Sequence, residues 1–386
     1  MSSVIIVGAS VAGWHTAAAL RTGGFDGDIT LVERTKEWPY DRPPLSKGIM
    51  TGAVLPESIR FATPDEIAAL NITCLLGTEA VSLRPDARRI DLANGESLGY
   101  DAVVIATGLQ APEHPLLAQD LPGVYQLRHL ADALTVRDAL QRSSQVVVVG
   151  GGFIGSEIAS AARQMSKQVV LLEADDEVGA RALGVHAIRL RVLHDTAGVE
   201  VRTCCEVTSL IPMSEGTGVQ LADGQVVHGD AVFLGLGSVP SVGWLAESGL
   251  ATEGGVASDA FGRTGHADVY VAGDVGAYES PWAPRPRRFQ HWSSAVERAE
   301  SVAALILERE PPPLRPPYFW FDVHGHRIQA AGAFPVDSRI DVLQEGGVGF
   351  LAVHRQGERA VGVIAIDEQR EFARNRRSLV PPLPEG

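Results

Sequence analysis

The stretch QVVVVGGGFIGSEIASAARQ, residues 145–164, decides the fold. Gln145 to Val149 reads as a parallel strand covered on both faces, because after its first residue it is continuously apolar rather than alternating. Gly150, Gly152 and Gly155 follow as an intact GxGxxG turn, running through Ile154 into the helical segment that carries Glu157. Glycine is needed there for the tight turn, for close approach of backbone to a pyrophosphate, and for packing helix on strand. The next strand, QVVLLE, ends on Glu173, 23 residues after Gly150, where a carboxylate can accept hydrogen bonds from a ribose.

Upstream the same grammar occurs once more. Val4 to Val7 is a short apolar strand, and GASVAGWHTAAALR sets Gly8, Ser10 and Gly13 at the three fingerprint positions, with serine replacing the middle glycine. DITLVE then ends on Glu33, 25 residues after Gly8. The duplication continues downstream: ANGESLGYDAVVIATG (93–108) aligns without gaps on ADGQVVHGDAVFLGLG (222–237). The pairs Ala93/Ala222, Gly95/Gly224, Asp101/Asp230, Ala102/Ala231, Val103/Val232 and Gly108/Gly237 are identical. Each half is therefore a strand-turn-helix head with a hairpin-plus-strand tail, and two such units imply two dinucleotides.

A length of 386 residues, with 45% apolar and 21% charged residues, implies two to three globular domains. The net charge of -14 disfavours a general nucleic-acid binder, which needs a surplus of Lys and Arg on a broad face. No signal peptide or membrane span is expected, since the N-terminus lacks a basic leader and no run approaches about 20 apolar residues. Cys74, Cys204 and Cys205 form no redox-motif spacing, which suits a reduced, cytoplasmic setting. Past Arg309 the run EPPPLRPPY cannot continue a helix. It leads into a C-terminal unit in which GHRIQAAGAF, RIDVL, VGFLAVHR and RAVGVIAID read as antiparallel strands, and SLVPPLPEG reads as a disordered or loosely docked tail. His324 and His326 form an HxH pair without further ligands nearby in sequence, so no metal site is expected.

Two further segments, IATG at 105–108 and DVYVAGDV at 268–275, bring Thr107 and Asp274 to strand ends, where an aspartate can bind hydroxyls of a ribityl chain. With PYDRPPLSK (39–47), GFIGSEIAS, RFQHWSSAVERAESVAALIL and PYFWFDVHGHRIQ, the chain resembles the two-dinucleotide flavoprotein reductases over nearly its whole length. It is most similar to the putidaredoxin-reductase-like ferredoxin reductases that serve Rieske oxygenases and bacterial cytochromes P450. The resemblance implies an α/β fold of two Rossmann-type dinucleotide-binding domains, glutathione-reductase-like, plus a small α+β C-terminal domain. It assigns residues 1–111 and 240–313 to a discontinuous FAD-binding domain, 112–239 to an NAD-binding domain, and 314–386 to the C-terminal reductase and interface domain.

The resemblance also implies site residues. Lys47 pairs with Glu157 near the flavin's reactive nitrogen. Ala12, Arg34, Arg42, Val81, Thr107, Arg128 and Asp274 match FAD-contacting positions, Arg34 lying beside Glu33 where the family more often has Gly-Asp. Trp292 opens a helix whose N-terminus meets the flavin, where its dipole stabilises negative charge on the reduced ring. Trp320 stands near the flavin, Phe321 where serine is common and Gln290 where glutamate is usual. Related disulfide reductases carry a redox-active CxxxxC near the PYDRPPLSK segment, but here no cysteine lies within 25 residues of it on either side, which excludes a dithiol relay.

The activity so implied is hydride transfer from NADH, with NADPH less favoured, to FAD, then single electrons to a ferredoxin of the 2Fe-2S or the 3Fe-4S/4Fe-4S type. An acidic ferredoxin meeting a chain of charge -14 needs a local basic patch. Arg285, Arg287 and Arg288 in WAPRPRRF, and Arg374, Arg376 and Arg377 in FARNRRSL, form the two clusters available, in a monomer or a homodimer. The alternatives are an NADH oxidase or a monodehydroascorbate- or rubredoxin-type reductase of the same fold, or a slow-turnover redox sensor like the apoptosis-inducing factors.

Overall fold

The computed structural model describes residues 1–119 and 121–383. Two five-stranded parallel sheets carry the two glycine turns. The first runs Val269–Val271, Ala102–Ile105, Ser3–Val7, Asp28–Glu33, Ile72–Leu76 across its width. Its outer strand Val269–Val271 comes from beyond the whole second sheet in sequence. The second runs Glu200–Arg202, Gln168–Leu172, Gln145–Val149, Ala231–Leu234, Val124–Tyr125. Each is accompanied by a three-stranded antiparallel sheet inserted at the same point of the unit, within 80–99 and within 207–229.

The internal duplication extends to single hydrogen bonds. Asp101 Oδ2 accepts from the N–H groups of Ser2 and Ser3 at 2.6 and 3.0 Å, and Asp230 Oδ2 accepts from those of Ser144 and Gln145 at 2.7 and 2.9 Å. Each carboxylate thereby ties the tail strand of its unit to the start of the head strand, with Ala102 beside Val4 and Ala231 beside Val146. At the turns, Gly8 has φ +102° and Gly150 φ +99°, and a Cβ on either would lie 2.3 Å from a carbonyl oxygen, Ala106 O or Gly235 O. Only glycine fits these two positions.

The C-terminal sheet is antiparallel, in the order Tyr318–Val323, His326–Gly332, Arg359–Ile366, Gly349–Gln356, Arg339–Gly346. Phe321, Phe350 and Ile364 on one face join Ile158, Leu171 and Leu190 of the second module in a single buried cluster. Leu351, Val353 and Val363 on the other face pack under Phe372 of the helix Gln369–Arg376. The described part of the tail is held down: Leu379 is buried, and the Val380 N–H donates to Ala360 O at 3.0 Å. The last residues of SLVPPLPEG, 384–386, lie outside the described residues.

The two residues of the HxH pair diverge. His324 Nε2 meets His194 Nδ1 at 3.0 Å, whereas His326 Nδ1 meets Asp367 Oδ2 at 2.7 Å. A second histidine contact joins His186 Nε2 and His354 Nε2 at 2.8 Å, with Ser338 Oγ on His354 Nδ1 at 2.7 Å. Both contacts link the chain around the helix Ala187–Thr196 to the C-terminal sheet. No helix among the described residues is long and apolar enough to cross a membrane.

Candidate active site

A cavity of about 640 Å³ begins at the first glycine turn and ends where the first module, the second module and the C-terminal sheet meet. Gly8, Ala12, Glu33, Arg34 and Val81 line its first end. Arg42, Thr107, Gly108, Arg128 and Asp274 line it as well. Lys47, Ile154, Glu157, Trp292 and Trp320 line the far end. Fifteen expected site residues thus share one surface, although they come from segments spread between residues 8 and 320.

The five others stand outside that lining. Gly13 and Gly155 lie beneath the turns, where a Cβ would come 1.8 Å from Gly8 O and 1.9 Å from Gly150 O. Gly152 caps the helix Phe153–Gln164, and Gly237 holds φ +81° with open space around it. Glu173 Oε2 accepts from the Gly151 N–H at 2.7 Å, which fixes the carboxylate beside the second turn.

Two arginines, Arg42 and Arg128, line the cavity with the buried Asp274. Burial lowers the Arg128 guanidinium to about 10, and neighbouring Arg42 adds to that effect. Burial likewise pushes the Asp274 carboxyl up to about 6, against the opposing charges of Arg128, Arg42 and Arg288. Arg42 Nε, Arg128 Nε and His129 Nδ1 are buried nitrogens with no hydrogen-bond partner among the described residues. Unpaired buried guanidinium donors are costly, and a polyanionic ligand removes that cost for Arg42 and Arg128. The donor set therefore fits the diphosphate of a dinucleotide such as FAD, with Asp274 available to its hydroxyls.

At the far end Lys47 Nζ stands 3.0 Å from Glu157 Oε1 and 3.3 Å from Asp322 Oδ2. Glu157 is 8% exposed, and its other oxygen accepts from the Ser46 hydroxyl. Burial raises the Glu157 carboxyl above its ordinary range, while Lys47 and Ser46 pull it back. Phe153 sits between Phe319 and Phe321, with ring centroids 5.0 and 4.7 Å away, so the second turn and the C-terminal sheet close on each other there. Phe321 is 1% exposed and is a core residue as well as a wall of the cavity. The helix Trp292–Ile306 starts at the cavity. Trp292 Nε1 donates to Asp41 Oδ1 at 2.8 Å, and the Trp292 ring meets Trp320 edge-on at 6.0 Å.

Sequence reasoning missed Asp41, His129, His291 and Asp322. Asp41 lies inside PYDRPPLSK and Asp322 inside PYFWFDVHGHRIQ, so their segments were singled out but not their side chains. His291 and His129 precede helices and carry no spacing signal. Of the six arginines in the two basic clusters, Arg285, Arg287, Arg374 and Arg377 are exposed. Arg288 has a buried Nη1, and Arg376 lies over the Tyr318 ring at 4.2 Å.

Residues 2–299 match the family model described as pyridine nucleotide-disulphide oxidoreductase. The chain is 32% identical to rhodocoxin reductase of Rhodococcus erythropolis, the alignment covering 99% of this chain and 90% of that protein. It is also 32% identical to the ferredoxin–NAD(+) reductase subunit of the benzene 1,2-dioxygenase system of Pseudomonas putida, over 96% of this chain and 90% of the relative. The structure is similar to that of putidaredoxin reductase in its covalent complex with putidaredoxin, with a TM-score of 0.92 at 29% identity, covering 97% of this chain and 92% of the other. Two duplicated nucleotide modules meeting at one cavity, together with these likenesses along nearly the whole chain, mean that the chain belongs to the pyridine nucleotide-disulphide oxidoreductase family.

Proposed function

We infer that the protein is an FAD-dependent oxidoreductase that takes a hydride from NADH and passes single electrons to a ferredoxin serving an oxygenase or a cytochrome P450. The observation that carries this reading is the continuity of one cavity from the first glycine turn to the Lys47–Glu157 pair beside the second turn. Its relatives are named as reductases of ferredoxin-type partners, which favours this acceptor over oxygen or a purely sensing role.

Bound FAD supplies a two-electron acceptor that can also release electrons singly. The chain does the rest. The Gly8 turn and the N-terminus of the helix Val11–Thr22 cradle the diphosphate, with Arg42 and Arg128 as its cations. Glu33 takes the adenosine ribose and Asp274 the ribityl hydroxyls. The start of the helix Trp292–Ile306 directs its positive end at the ring. The second turn, Gly150 to Gly155, holds NADH with Glu173 on its ribose. Lys47 and Glu157 fix the near edge of the ring, and Phe153 and Phe321 exclude water there. Arg285, Arg287, Arg374 and Arg377 offer the acidic iron-sulfur partner a basic face on a chain of charge -14. A cytoplasmic setting, as a monomer or a homodimer, suits the reduced cysteines and the soluble partner.

The test is anaerobic. NADH should bleach the flavin of the reconstituted protein, and cytochrome c reduction should then depend on added ferredoxin. A flavin that neither NADH nor NADPH bleaches removes the reading.

A further inference from the structure

The Lys47–Glu157 pair does not stand alone. Four charges follow one another with alternating sign, Glu157, Lys47, Asp322 and Arg327, and they come from three parts of the fold. Lys47 ends the turn Pro43–Ser46 in the first module, Glu157 lies on the helix Phe153–Gln164 of the second, and Asp322 and Arg327 face each other across the first two strands of the C-terminal sheet. Asp322 meets Lys47 Nζ at 3.3 Å and receives Arg327 in two hydrogen bonds, from Nε at 2.7 Å and Nη2 at 3.2 Å. Its backbone N–H also donates to Glu157 Oε1 at 3.4 Å, so one residue touches both members of the pair. Side-chain exposure rises along the row, 9%, 26%, 31% and 42%. The row therefore runs from the interior toward solvent.

We propose that Asp322, backed by Arg327, is a positioning residue that fixes Lys47 against the reacting edge of the flavin. The physical need is plain. A lysine has four rotatable bonds and a point charge with no preferred direction, so a single carboxylate restrains its distance but not its bearing. A second carboxylate, borne on a different element, supplies a second restraint. That carboxylate must itself stay ionised: burial opposes this, but the hydrogen bonds from Arg327 and the charge of Lys47 outweigh it and hold the Asp322 carboxyl below its usual range. The C-terminal sheet thereby takes part in flavin reduction, beyond covering the site.

This rests on the reading of the cavity as a flavin site. The experiment compares flavin content, flavin midpoint potential and anaerobic single-turnover reduction by NADH in the holoprotein and three variants. Asp322→Asn keeps the shape and removes the charge. It should retain flavin and be reduced roughly ten- to hundredfold more slowly, the scale of a misplaced reacting group. Its midpoint potential should rise, because a negative charge has left the neighbourhood of the ring. Asp322→Glu should recover most of the rate. Arg327→Gln leaves the carboxylate and removes its outer cation, so the potential should move the opposite way, which loss of packing alone does not predict. Wild-type rate and potential in Asp322→Asn would overturn the proposal. If Asp322→Asn loses its flavin, an unchanged potential in Arg327→Gln overturns it instead. A wild-type flavin that NADH cannot reduce sinks the proposed function, yet potentials measured by chemical reduction still decide the role of Asp322.

Discussion

Glu33 and Glu173 hold equivalent stations in the two modules, each bracing its glycine turn through the same two kinds of hydrogen bond. Glu33 accepts from the N–H groups of Ala9 and Thr35 at 3.0 Å each, and Glu173 from those of Gly151 and Asp175 at 2.7 and 2.9 Å. With these bonds made, each carboxylate keeps lone pairs for a ribose. A 2'-phosphate would meet that negative charge at Glu173, and the one nearby cation, Arg181, is already paired with Asp175 at 2.9 Å. Like charges brought together at a site cost several kcal/mol. The ratio of kcat/KM should therefore favour NADH over NADPH by about tenfold or more. Glu173→Ala should lower kcat/KM for NADH by roughly ten- to hundredfold, the scale of a lost hydrogen bond to a charged group. A native ratio favouring NADPH contradicts this role.

Lys47→Met removes the ammonium while keeping the length of the side chain. Glu157, left with Ser46 and a backbone N–H, would sit buried without its cation and take up a proton more readily. The fold should survive, because the apolar cluster around Phe321, Phe350 and Ile158 does not depend on the pair. Flavin reduction by NADH should slow by about tenfold or more, or flavin should be retained less tightly. Stopped-flow reduction beside a circular dichroism melt checks both halves, and a normal hydride-transfer rate places Lys47 outside the site.

Acid should loosen the junction between the second module and the C-terminal sheet. His186, His324 and His354 are held down to about 4 and His194 to about 3, with burial the main cause in each. In the unfolded chain these groups titrate near the ordinary value of about 6.5. The folded state therefore binds fewer protons than the unfolded state between those values, and stability falls as pH falls through that window. Above about pH 7 the contribution is fully present. Melting temperatures measured from pH 7.5 down to pH 4.5 should drop, and His194→Asn should flatten the profile. A melt independent of pH across this range would show that the buried imidazoles do not control the junction.

The two nucleotide modules were legible in the sequence because their signals are local. Gly8 and Gly150 announce turns that only glycine can make, and the alignment of Asp101 with Asp230 proved to be one hydrogen-bond scheme used twice. What escaped the sequence depends on distance along the chain. Asp322 lies 165 residues from Glu157, and His354 lies 168 from His186. No periodicity or spacing encodes such meetings, which arise where segments distant in sequence pack together. The basic clusters failed in a different way. Adjacent arginines look alike in sequence, yet Arg288 turns inward and adds its charge to the surroundings of Asp274, while Arg376 covers the Tyr318 ring.

That difference changes how the partner-docking face is best tested. Reversing Arg288 would disturb the flavin site, since its charge acts on Asp274, and reversing Arg376 would strip a cation from an aromatic wall. Arg285 and Arg287 are exposed, and so are Arg374 on the C-terminal helix and Arg377 just after it. An exposed cation contributes little to folding but steers an acidic partner, an effect that weakens as salt screens it. Charge reversal at Arg285 and Arg287 together should raise the KM for ferredoxin by about tenfold and flatten its dependence on ionic strength. Reduction of ferricyanide by NADH should be unchanged, because that small acceptor needs no docking face. The pair Arg374 and Arg377 gives the same comparison from the other segment. If both activities fall together, the altered segment supports the flavin site itself, and if neither pair affects ferredoxin, the electrons leave through another face.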